Sequence, residues 1–126
     1  LKHRNLKSPK KVIFGSGKII VDLLNDENFK NIDSGTEIVS LEQLYPFPLK
    51  EITEILNNSN LKEIFWLQEE PRNRGAWKYF NENIIEIPEN KLKLKYIGRK
   101  PSATTATGSS SVHKIQQKRI IDSILK

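Results

Sequence analysis

Glu63-Ile64-Phe65-Trp66-Leu67-Gln68-Glu69-Glu70-Pro71-Arg72-Asn73-Arg74-Gly75-Ala76-Trp77 decides the fold of this chain. Ile64 to Leu67 is a near-continuous apolar run, the signature of a strand buried on both faces. It ends in two carboxylates, a proline, two arginines and a glycine. Trp77, Phe80, Ile84 and Ile85 then recur at helical spacing, which predicts a helix from about Gly75 that stops at Pro88. The order is strand, polar turn, helix. In α/β proteins that end of a strand is where ligands and partners bind, and packing alone does not call for so many charges there.

The same grammar runs outward in both directions. Lys11-Val12-Ile13-Phe14-Gly15 reads as a buried strand, followed by a tight turn at Ser16-Gly17-Lys18 and a helix carrying Ile19, Ile20, Leu23 and Leu24. Asn25 to Thr36 is a polar loop. Glu37 to Glu42 is the next strand, and Leu44-Tyr45-Pro46-Phe47-Pro48 a turn, because two prolines break regular structure. Leu49, Ile52, Ile55 and Leu56 form the next helical stripe. Leu92, Leu94 and Tyr96 alternate with Lys91, Lys93 and Lys95, the pattern of a half-exposed strand. Ser102 to Ser111 is low-complexity. The last helix is expected from about Ser111, with Val112, Ile115, Ile121, Ile124 and Leu125 inward.

Strands alternating with helices predict an α/β layered domain with a mostly parallel sheet. Right-handed crossovers would then bring the turns at Ser16–Lys18, Gln43–Pro48 and Glu69–Gly75 to one edge. Residues 1–10 are polar, basic and end near Pro9, and are read as a linker remnant before a domain over 11–126. The chain's 126 residues suffice for one core. No apolar run approaches the ~20 residues that span a bilayer, and no signal peptide is visible. The chain lacks cysteine, which removes disulfides, thiolate catalysis and sulfur-ligated metals. It also lacks methionine, so it is expected to be a piece of a longer polypeptide. Its net charge of +6 can favour phosphate-bearing partners. The lysines are spread out, however, and no nucleic-acid signature accompanies them.

The chemistry candidates each have a plain structural alternative. Gly15-Ser16-Gly17-Lys18 resembles a phosphate-cradling turn, but it lacks both the dinucleotide spacing and the longer triphosphate loop, and it also reads as a simple tight turn. Glu69 and Glu70 could form an acid/base pair, yet neighbours in a strand leave opposite faces, so an interface or ion-pairing role fits better. His3 and His113 are too isolated to hold a metal. No serine shows the setting of a nucleophile. Lys18, Arg72, Arg74 and Arg99 could converge on an acidic ligand, arginine being suited to bidentate phosphate or carboxylate recognition; solvated edge charges are the alternative.

Five segments together resemble a known family: residues 12–18 (VIFGSGK), 38–48 (IVSLEQLYPFP), 68–77 (QEEPRNRGAW), 96–101 (YIGRKP) and 102–113 (SATTATGSSSVH). They look like the C-terminal domain of the thiamine-dependent 2-oxoglutarate dehydrogenase component, over roughly residues 10–126. The resemblance implies a transketolase C-terminal-type fold: a three-layer α/β sandwich whose mixed sheet is mainly parallel. It implies a parent oxidoreductase of the tricarboxylic acid cycle that decarboxylates 2-oxoglutarate on thiamine diphosphate and Mg²⁺. The parent would then pass a succinyl group to the lipoyl arm of a second component in a multienzyme complex. Neither a Gly-Asp-Gly metal motif nor a cluster of catalytic histidines occurs here. This piece alone is therefore expected to carry no catalytic, cofactor-binding or metal residues and to be inactive.

Its expected role is to organise a homodimer against the preceding domains, with Glu69, Glu70, Asn73, Trp77 and Tyr45 as interface candidates. Some relatives bind AMP or acetyl-CoA against this domain, so Lys18, Arg72, Arg74 and Arg99 are the effector-binding candidates of a regulatory alternative. Many relatives carry arginine where Ser40 stands, and glutamine where Arg74 stands. The resemblance places the parent in the bacterial cytoplasm, or the mitochondrial matrix of a eukaryote, with no nucleic acid and no membrane as partner.

Overall fold

Apolar runs that alternate between two buried faces make the strands of this protein. The computed structural model describes residues 2–99 and 110–125, with side chains from 114 onward in the last stretch. The strands are β1 (Lys11–Gly15), β2 (Thr36–Ser40), β3 (Glu63–Pro71) and β4 (Leu94–Arg99). They form one sheet in the order β2-β1-β3-β4, and each of the three pairings is parallel. The antiparallel contact among the described residues is an isolated bridge between Lys2 and Val39.

The helices are α1 (Lys18–Asn25), α2 (Leu49–Leu56), α3 (Trp77–Ile85) and α4 (Ser110–Leu125). Val12, Phe14, Ile64 and Trp66 point to one face, where Ile52 and Leu56 of α2 and Phe80 and Ile84 of α3 cover them. Ile13, Ile38 and Leu67 point to the other, under Ile19, Ile20 and Leu23 of α1 and Ile120, Ile121 and Leu125 of α4. The sheet is therefore the middle layer of a three-layer α/β sandwich. Handedness accounts for the split: the chain moves one way from β1 to β2 and the other way from β2 to β3 and β3 to β4. Right-handed crossovers then put α1 on one face and α2 and α3 on the opposite one. Because the strands run parallel, the turns after β1, β2 and β3 share the sheet's carboxyl edge.

Local details depart from the periodicity. β3 runs to Pro71, past Gln68, because Pro71 still pairs with Arg99 across an irregular register. α3 begins at Trp77, later than Gly75. In α4, Ile115 is 54% exposed, whereas Gln117, Ile120, Ile121 and Leu125 are buried. Ile115 lies six residues before Ile121, roughly 240° around the helix, so both cannot face the sheet. Ile85 is exposed while Ile84 is buried. Val112 and His113 lie outside the described side chains, as does the segment 100–109.

The polar lead-in, read above as a linker remnant, lies along the outer edge of β2. His3 N donates to Ile38 O at 2.9 Å, and His3 Nε2 lies 2.7 Å from Ser40 Oγ. The anchor is Glu37, only 1% exposed. Its Oε2 accepts from Arg4 N at 2.9 Å and Ile38 N at 3.0 Å, and its Oε1 accepts from Leu6 N at 2.8 Å. Arg4 Nη1 donates in turn to the Asp33 and Thr36 carbonyls. A buried acidic side chain survives because backbone amides replace its lost water.

Glu37→Ala should lower stability by about 3 kcal/mol in urea unfolding, because three amides lose their acceptor together. Glu37→Gln, which keeps one acceptor oxygen, should lose less. An unchanged urea midpoint for Glu37→Ala would contradict this account.

Candidate functional site

Gln68 sits near the carboxyl end of β3 with its side chain turned into the protein, 3% exposed. Trp66 Nε1 donates to Gln68 Oε1 at 2.9 Å, which fixes the amide's orientation, since an indole nitrogen can only donate. The same oxygen accepts from Trp77 N at 3.0 Å. Gln68 Nε2 donates to the carbonyls of Arg74 at 2.7 Å and Pro71 at 2.9 Å, with that of Glu70 at 3.2 Å. One buried amide thus ties the strand, both ends of the turn and the first residue of α3 together. Ala76 offers α3 no side-chain cap, so Gln68 does from a distance what an N-cap side chain does locally. The turn passes closely enough that only glycine fits at position 75. Gly75 has φ 69°, and a Cβ there would lie 2.8 Å from the Gln68 side chain.

A second layer of contacts crosses to β4. Arg72 lies over the rings of Trp77 at 5.2 Å and Tyr96 at 5.4 Å, and those rings meet edge to face at 5.4 Å. Arg72 N donates to Arg99 O at 3.2 Å. Arg99 Nε donates to the Glu69 carbonyl at 2.8 Å, with its Nη1 at 3.5 Å from Gln116 Oε1. The Tyr96 hydroxyl donates to Arg99 O at 2.6 Å and lies 3.2 Å from Glu70 O. Burial pushes the Tyr96 phenol up to about 12, against the opposing pull of Arg72 and Arg99.

Arg72, Arg74 and Arg99 therefore belong to one polar cluster, and Lys18 does not. Lys18 follows Gly17, whose φ of 78° turns the chain into α1, and its ammonium pairs with Asp22 at 3.3 Å. It opens onto a cleft beside α4, together with Asp26 and Lys118, whereas Arg72 opens onto a different cleft beside α3. The Arg72 guanidinium stacks on two rings, Arg99 Nε donates to the Glu69 carbonyl, and Arg74 contributes its carbonyl to Gln68. Of the interface candidates, Glu69 is half-buried, and Glu70 and Asn73 are exposed at the turn. Trp77 carries Arg72. Tyr45 is 67% exposed and lies on the neighbouring turn, its ring 4.3 Å from that of Tyr79. Tyr79 itself, which donates to Leu44 O at 2.9 Å, was not legible as a tether between the two turns; its position between Trp77 and Phe80 gave no separate signal. Among the described residues no group of three or more His, Cys, Asp or Glu is placed to hold a metal.

Residues 2–125 match the family described as 2-oxoglutarate dehydrogenase C-terminal. The chain is similar to the 2-oxoglutarate dehydrogenase E1 component of Bacillus pumilus (strain SAFR-032), 41% identical over 119 residues, which cover 91% of this chain and 12% of that protein. The Bacillus subtilis (strain 168) E1 component is 40% identical over 119 residues with the same coverage. That of Staphylococcus aureus (strain JH9) is 41% identical over 117 residues, or 92% of this chain and 12% of that protein. The chain spans about 12% of the length of these relatives.

Because five hydrogen bonds hold the Gln68 amide still, it cannot yield to a methyl group at position 75. Gly75→Ala and Gln68→Ala should each destabilise the protein. The double variant should be more stable than the sum of the two losses predicts, by about 1 kcal/mol or more. Strict additivity in urea unfolding would remove Gln68 as the reason for the glycine.

The raised Tyr96 pKa means that the folded state holds this proton more tightly than the unfolded state does. Its contribution to stability is fully present below the usual phenol value of 10.0 and is lost as pH rises toward about 12. Tyr96→Phe should remove the tyrosinate absorbance step near pH 12. A step near 12 that persists in Tyr96→Phe would reassign it to another phenol.

Proposed function

This chain belongs to the 2-oxoglutarate dehydrogenase C-terminal family, and from that premise we propose that it is the dimer-organising, non-catalytic C-terminal domain of an E1-type component. The observation that carries the proposal is the Gln68-centred turn. A buried amide, a cation-π stack and a strand-to-strand hydrogen bond fix a loop whose outer surface carries Glu70, Asn73 and Arg72. Such rigidity at an exposed, charged edge suits a surface that docks, because little order is lost on contact. In this reading Glu69, Glu70, Asn73, Trp77 and Tyr45 face the preceding domains or the second subunit.

The parent would decarboxylate 2-oxoglutarate and deliver the succinyl group to the lipoyl-bearing second component, with a transketolase-type C-terminal fold. Thiamine diphosphate would supply the carbanion-stabilising chemistry there, held through Mg²⁺. The donor set for that metal is not assembled among the described residues here, so no step of the reaction is assigned to this chain. The regulatory alternative places AMP or acetyl-CoA against Lys18, Arg72, Arg74 and Arg99. It would require Lys18 and Arg72 to bind from separate clefts.

The test uses the full-length polypeptide with and without residues 11–126. Loss of the dimer by sedimentation equilibrium, together with loss of 2-oxoglutarate turnover, is the expected result. A truncated protein that remains a fully active dimer would overturn the proposal. So would turnover by residues 1–126 alone with thiamine diphosphate and Mg²⁺. Heat on titration with AMP that disappears in Arg72→Ala would favour the regulatory reading instead.

A further inference from the structure

β4 closes one side of the sheet, and among the described residues β3 is its one strand partner. A cleft of about 710 Å³ runs between β4 and α3. Arg72, Lys91, Lys93 and Lys95 line the cleft, and no carboxylate does. Lys95 is offset by Glu63 at 2.8 Å; Lys91 and Lys93 are exposed. The floor is apolar, with Leu92, Leu94 and Ile85, the last 70% exposed. We propose that this cleft receives an acidic polypeptide segment in extended form, added as a strand to the edge of β4 that no other described strand pairs with.

Lysines on an edge strand commonly guard against unwanted pairing. Here the guard and the recognition are the same property. Cations repel basic strands and leave neutral ones without compensation, but an acidic strand neutralises them. The cleft behind the edge adds what a mere guard lacks: a hydrophobic floor and an aromatic wall at Trp77 and Tyr96 already braced by Arg72.

Register sharpens the partner's chemistry. Leu94 and Tyr96 point toward α3, whereas Lys95 points to the opposite face, where it lies over Phe65. An added strand would alternate in the same way. Its residues on the α3 side would be apolar, against Ile85 and Leu92. Those on the other side would be acidic, opposite Lys95, and the end of the segment would reach Lys93 and Lys91, which precede β4. The partner is therefore a segment of alternating acidic and apolar residues, about as long as the six residues of β4.

The experiment is fluorescence anisotropy of a short dye-labelled peptide of alternating glutamate and valine, titrated with the full-length polypeptide. Saturable binding is expected. It should weaken by about ten-fold or more in Lys91→Glu/Lys93→Glu, whose altered residues are exposed. It should also be lost when alternate peptide nitrogens are methylated, which removes the strand hydrogen bonds, and when the same residues are arranged in two blocks. Absence of saturable binding would overturn the proposal. Binding indifferent to N-methylation or to block order would overturn it too, leaving a plain anion site. The result is independent of the dimer reading, which the truncation tests separately.

Discussion

The side-chain amide of Gln68 is the contact on which the carboxyl edge of this protein depends. An amide has two donors and two acceptor positions, and here all are used, inside the protein and away from water. Its oxygen serves an indole from the core and the first amide of α3. Its nitrogen serves carbonyls from both sides of the turn. Removing either half would leave buried groups unpaired, which costs more than an average hydrogen bond contributes. The strand Ile64–Leu67 packs against helices on both faces, so the amide is anchored to an inner strand of the sheet. The loop is tied to that strand through a few short bonds.

Handedness supplies the complementary constraint. With strand order β2-β1-β3-β4, β1 and β3 lie in the middle, and their following helices depart to opposite faces. This explains why Val12 to Gly15, Ile64 and Trp66 to Gln68 are buried. It also leaves β2 and β4 as edges, and the protein treats the two differently. The edge of β2 is occupied by residues 2–6 through the buried Glu37 side chain. Among the described residues, β4 has Lys95, the preceding Lys91 and Lys93, and a cleft instead. One edge is thus closed by a specific internal contact, and the other carries exposed cations.

Much of the fold was legible because its signals are periodic. The runs Val12–Phe14 and Ile64–Leu67 announce buried strands, and the stripe of Ile52 and Leu56 announces a helix face. What escaped is what depends on single polar residues meeting at a distance. Glu37 within Thr-Glu-Ile-Val-Ser looks like an outward strand residue; nothing local reveals that three amides converge on it. Gln68 looks like the last residue of the strand, yet its side chain is the centre of the turn that follows. The family motif marked the segment without giving the reason. Ile115 was drawn inward by its hydrophobicity, whereas the packed stripe of α4 follows Gln117, Ile120, Ile121 and Leu125. The cations Lys18, Arg72, Arg74 and Arg99 looked like a converging set because sequence shows charges and not their partners. Lys18 has an internal ion pair, Arg72 an aromatic stack and Arg99 a backbone carbonyl as partner.

That occupation bears on how the edge works. An arginine free in solvent must surrender several rotatable bonds to bind anything, and the loss offsets much of the contact energy. Arg72 has made most of that sacrifice during folding, since two rings and a strand already define where its guanidinium lies. Its remaining donors are presented in a fixed plane, which favours a partner of fixed geometry over a mobile small anion. The same holds for the Glu69–Glu70 backbone, whose carbonyls are tied to Arg99 and to the Gln68 amide. A preformed polar surface gains affinity by losing little on contact, and it gains specificity because a misplaced partner cannot be accommodated by rearrangement. On the proposed docking role, the chemistry of this edge is that of a template, whose charges would recognise shape as well as sign.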